Sequence, residues 1–102
     1  MKRFRVRFTF EAEEDLLRLF GFLLEQDISA AEHAQAAIAK AVEMLELFPF
    51  SCRKAIGGAG SPFLRELIIP FKDSGSVALF EIEDSRTVTI LAVRHEREED
   101  YH

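Results

Sequence analysis

Polar and apolar residues alternate over Arg3–Phe8, with Arg3, Arg5 and Arg7 on one face and Phe4, Val6 and Phe8 on the other. A period of two predicts a first strand buried on one side, its arginines on a solvated face. The period then lengthens. Thr9 is placed to cap a helix, and Glu11, Glu13, Glu14 and Asp15 fall where the helix dipole favours carboxylates, which accounts for the acidic run without a metal. Leu16, Leu17, Phe20, Leu23 and Leu24 form one wide helical stripe. Leu19 and Phe22 lie off it, as core or as a second apolar surface for a partner. Gln26–Ser29 interrupts the pattern. Ser29 and Glu32 make a capping box, and Ala34, Ala37, Ile38, Ala41, Val42 and Leu45 form the stripe of a second helix that Pro49 stops. A short link between two helices predicts an antiparallel hairpin.

Residues 49–62, with three glycines and two prolines, are expected to form one long loop. Its Gly57-Gly58-Ala59-Gly60 lacks the lysine and hydroxyl residue of a phosphate loop. Three apolar, strand-length runs follow: Phe63–Phe71, Ser76–Glu83 and Thr87–Arg94, separated by Lys72–Gly75 and Asp84–Arg86. They predict a three-stranded antiparallel meander. The fold class is therefore α+β: an N-terminal strand, a two-helix hairpin and the meander, in a single domain over residues 1–102. Both faces of the first two meander strands are largely apolar. The chain is expected to own more apolar surface than it can cover, and so to bind another polypeptide.

Composition narrows the chemistry. Thirteen Lys and Arg against 18 Asp and Glu give a net charge of −5, which opposes a general nucleic-acid coat. One cysteine, Cys52, excludes an internal disulfide and a cysteine-rich zinc site. Neither a cofactor nor a metal is implied. The absence of a signal-peptide pattern and of an apolar run of about 18 residues predicts a cytoplasmic protein that does not enter a membrane. The titratable groups with most chemical potential are Arg65 on the first meander strand and Arg94, His95 and Arg97 at the end of the last. The plain account of the terminal RHEREEDYH is a solvated, salt-bridged tail.

Beyond periodicity, FTFEAEEDLLRLFGFLLE, the alanine-rich helix ending LELFP, LREL at Leu64–Leu67 and VRHEREEDY at Val93–Tyr101 together resemble the RelE/ParE superfamily of type II toxin–antitoxin toxins. The ParE branch, often labelled plasmid stabilisation proteins, is the nearer likeness. The resemblance spans almost the whole chain and implies the same element order. It also implies a cognate ParD-like antitoxin and, for ParE-type members, a target in DNA gyrase without hydrolytic chemistry. RelE-type members instead cut messenger RNA on the ribosome by acid–base chemistry. On that alternative Arg65, Arg94, His95 and Tyr101 would form the catalytic set. On the gyrase reading Arg65, Arg94, Arg97, Leu19 and Phe22 would contact partners. The acidic net charge and the position of Tyr101 beyond an acidic run favour the gyrase reading.

Overall fold

In the computed structural model, residues 3–55, 62–71 and 74–95 are described. The first strand, β1 (Arg5–Phe8), leads through Thr9 into α1 (Phe10–Gln26). Thr9 caps it as the sequence predicts, its hydroxyl accepting the Ala12 N–H at 3.1 Å. A single extended residue, Asp27, separates α1 from α2 (Ile28–Leu47). Asp27, not Ser29, is the cap of α2. Its carboxylate accepts the Ser29 N–H at 3.0 Å, and Ser29 already lies inside the helix. Asp-Ile-Ser and Ser-Ala-Ala-Glu both offer a cap here, and the earlier one leaves no room for a longer link.

The predicted loop 49–62 is partly structured. Pro49–Ser51 forms a 3₁₀ turn, and Arg53–Lys54 form a two-residue strand, β2. Then come β3 (Leu64–Phe71), β4 (Ser74–Ile82) and β5 (Thr87–His95), the expected meander. The glycine-rich residues 57–60 lie outside the described residues. The sheet order is β1-β5-β4-β3-β2. The meander and β2 pair antiparallel, but β1 runs parallel to β5, with Val6 opposite Val88 and Phe8 opposite Ile90, so the sheet is mixed.

Opposite Leu79 and Phe80 of β4 stand Ala92 and Ile90 of β5, which leaves Leu91 as an extra residue in a bulge. The bulge lets Val88, Ile90, Val93 and His95 all reach the buried side. At the other edge the Leu64 carbonyl accepts the Ala55 N–H at 2.9 Å, so alternate residues of β3 turn their backbone groups outward. Pro70 is one of them, and its missing N–H faces an edge that, among the described residues, has no ladder partner beyond β2.

The helices lie on one face of this sheet. Ala12, Leu19 and Leu23 of α1 and Ala31, Ala34 and Leu45 of α2 pack with Ile69, Phe80, Ile82, Val88 and Ile90. Phe80 and Val88 are wholly buried. The α2 stripe is the one expected, and its alanines bring the helix close to the sheet. The α1 stripe is rotated from the expected one. Leu17 and Leu24 are 71% and 54% exposed, while Leu19 is 5% exposed. Exposed mid-helix Gly21 adds a cost of about 1 kcal/mol relative to alanine.

Candidate functional site

Arg65 sits near the start of β3, paired with Lys54 on one side and Phe80 on the other. Its guanidinium is occupied by the chain itself. Nε donates to the Pro62 carbonyl at 2.8 Å, and Nη1 donates to the carbonyls of Phe50 at 3.1 Å and Cys52 at 2.7 Å. The same group lies 5.4 Å from the centroid of the Phe50 ring, which in turn meets Phe63 edge-on. A rigid fork of donors can gather several carbonyls that a turn would otherwise leave without partners. Arg65 therefore fastens the 3₁₀ turn and β2 onto the sheet. Burial pushes the Cys52 thiol up, and the positive charge of Arg65 partly opposes that rise.

Arg94 and His95 are successive residues of β5, so they point to opposite sides of the sheet. His95 is buried beneath α1, its ring 5.7 Å from that of Phe22 in an edge-on contact. Arg94 is exposed on the face that the helices leave open, opposite Val77. Arg65 pairs with Phe80, whereas His95 pairs with Ser76, which pairs with Ile69. The two rows are separated along β3 by the span from Arg65 to Ile69, roughly 13 Å at about 3.3 Å per residue. Arg65, Arg94 and His95 thus do not converge on one cleft. Tyr101 and Arg97 lie outside the described residues.

The two apolar candidates also divide. Leu19 belongs to the core and presents no surface to a partner, because the α1 stripe is rotated toward it. Phe22 is 45% exposed and stands at the rim above His95.

The uncovered apolar surface expected from the sequence takes the form of a groove whose residues sequence reasoning did not place. Between α2 and the outer strand β3 runs an open groove of about 490 Å³. Ala37, Ala41, Met44 and Phe48 form one wall, and Leu67, Ile68, Ile69 and Pro70 the other. Lys40 and Glu43 stand on its rim. Alternation in β3 had already turned Ile68 away from Ile69. The signal is Met44 and, at the end of the helix, Phe48, apolar residues seven positions beyond Ala37 and Ala41 on the same side of α2 yet left exposed. On the sheet face away from the helices, Arg5, Arg7 and Arg94 are exposed around the half-buried Val77 and Leu79. Among the described residues, no three His, Cys, Asp or Glu side chains cluster as metal ligands would. No described helix is long and apolar enough to cross a membrane.

Residues 6–100 match a protein family described as the ParE toxin of type II toxin-antitoxin system, parDE. Among solved structures, a chain of the chromosomal ParDE TA system from P. aeruginosa shares the fold with a TM-score of 0.61 at 16% identity. The match covers 90% of this chain and 95% of that one. No curated protein sequence matches significantly.

Proposed function

The chain belongs to the ParE toxin family of type II toxin–antitoxin systems, and from that premise we propose that it inhibits DNA gyrase by binding, in the cytoplasm, and is neutralised by a cognate ParD-like antitoxin. The observation that carries this reading is the distribution of its polar groups against its apolar ones. Arg65 is consumed by three backbone carbonyls, His95 is buried under α1, and Arg94 points to the opposite face. An acid–base scheme for RNA cleavage needs such groups gathered around one phosphate. A binding protein needs exposed apolar relief, and the groove between α2 and β3 supplies it.

The antitoxin lies along that groove in this reading, with Met44, Phe48 and Ile68 as its apolar bed. Of the contact residues expected from the sequence, Arg94 and Phe22 stand at the described surface and would meet the partner's acidic and apolar side chains. Arg97 would extend the basic set.

A supercoiling assay with purified chain, gyrase and relaxed plasmid tests the proposal. Inhibition at micromolar protein, relieved by a stoichiometric amount of the antitoxin encoded beside it, is the expected result. Untouched gyrase together with codon-positioned cuts in translated messenger RNA would reject it in favour of the RelE-type activity.

A further inference from the structure

Helix α1 is apolar on two sides. One side carries Ala12, Leu19 and Leu23 into the core. The other side, roughly 140° round the axis at 100° per residue, carries Phe10, Leu17, Gly21 and Leu24. Phe10 and Leu17 are 70% and 71% exposed. Phe10, Leu17 and Leu24 recur every seven residues, and Gly21 falls between the last two on the same line. At its end the seam runs into a depression lined by Phe20, Leu24, Ile28 and Ala31, with Glu32 at its edge.

Gly21 identifies the seam as a contact. Among the described residues, a Cβ at this position would meet nothing within 4 Å, so none of them requires a glycine here. A glycine in an exposed helix interior is also unfavourable for the helix. Its use is to let another backbone come close, as small residues do between packed helices. The flanks say what kind of backbone. Glu13, Glu14 and Glu25 are exposed beside the seam, and Glu32 continues the rim. Among the described residues of α1 the one cation, Arg18, is bound to Asp15 at 3.2 Å. Two copies of α1 laid together would set acid against acid.

We propose that the outer seam of α1 is the bed of a partner helix that carries lysine or arginine on both sides of its own apolar stripe. Resting on the toxin–antitoxin reading, the inference assigns that helix to the antitoxin, on a second surface separate from the α2–β3 groove. The seam spans about four turns, enough to align with a helix of comparable length. Lysine or arginine flanks would pair with the glutamates, and binding would weaken with salt.

The test compares the unaltered chain with Gly21→Ala, Gly21→Leu and a Glu13→Gln/Glu14→Gln/Glu25→Gln triple variant. Each is titrated with the antitoxin encoded beside the gene, at low and at high salt. Thermal unfolding of each variant serves as the fold control, and Gly21→Ala is expected to melt no lower than the unaltered chain. Gly21→Leu should weaken binding at least tenfold, and the triple variant should flatten the salt dependence. Equal affinity for the unaltered chain and Gly21→Leu overturns the seam while leaving the toxin–antitoxin reading intact. A chain that dimerises alone, and becomes monomeric on Gly21→Leu, overturns it in favour of a second copy as occupant. Failure of the antitoxin to bind the unaltered chain overturns both.

Discussion

Asp15, in the second turn of α1, accepts the backbone N–H of Val93 at 2.9 Å across 78 residues of sequence. The bond finishes a sequence of substitutions along one strand edge. Thr9 is the last residue whose own N–H serves that edge, bonding the Ile90 carbonyl at 3.0 Å. Its hydroxyl then donates to the Leu91 carbonyl at 3.2 Å, and Asp15 takes the next N–H. Where β1 stops, the side chains of the cap residue and of α1 continue its pairing with β5, and the bulge at Leu91 is held by them. Asp15→Ala strands a part-buried donor and is expected to cost about 1–3 kcal/mol. Arg18→Ala removes only an exposed ion pair and should cost less than about 1 kcal/mol. Urea unfolding of the two variants checks the contrast, and hydrogen exchange at the Val93 amide should accelerate in the first alone.

Arg65 gives a second contrast. Three carbonyls depend on its fork, so Arg65→Lys is expected to lose about 2–3 kcal/mol and does not preserve the site. Arg94→Ala, on the open face, should stay within about 0.5 kcal/mol. Thermal denaturation separates them. A stable, inactive Arg65→Lys chain would instead assign Arg65 to a partner contact.

Cys52 is buried, and its thiol is held above the ordinary range by that burial. It should react slowly with a disulfide reagent at neutral pH and fully once the chain is unfolded in urea. Arg65→Met removes the opposing charge and frees the turn. If exposure dominates, labelling quickens; if charge dominates, it slows further. Because three bonds anchor that turn, faster labelling is expected, and stopped-flow absorbance measures it.

Asp84 titrates in the opposite sense. The Arg86 backbone N–H donates to its carboxylate at 2.8 Å and is the main cause of a lowered pKa. A folded value below the ordinary 3.8 means that the unfolded chain binds the proton more tightly. The contribution is therefore complete above about pH 4 and fades as pH falls through the lowered value. Asp84→Asn should leave stability nearly unchanged at acid extremes and lower it slightly at neutral pH. A series of urea midpoints from neutral to acid pH reads the difference.

Much of this architecture was legible before the coordinates. The period-two run Arg5–Phe8 and the three apolar runs became strands, and α2 buries the predicted side. Thr9 caps α1 for the expected reason. The α1 stripe misled because Leu16, Phe20 and Leu23 fit two stripes equally. When a helix is apolar on both sides, hydrophobic spacing alone cannot choose between them; the sheet chose Ala12 and Leu19 over Leu17 and Leu24. Strand β2 escaped notice because two residues carry no period. The role of Arg65 was equally hidden, since its partners are backbone carbonyls that sequence does not distinguish. The direction of β1 also needed the coordinates. Alternation fixes which side faces inward, but not whether a neighbour runs parallel.

That parallel pairing has a consequence for the chain as it is being made. β1 emerges first from the ribosome, yet its sheet neighbour is β5, and the meander must turn twice before that place is filled. Contacts so distant in sequence form late. Until β5 is out, the inner side of the helices lacks Val88 and Ile90, and the core is incomplete. The parallel pairing therefore makes β5, the last of the described strands, the one that closes the core over β1 and the helices.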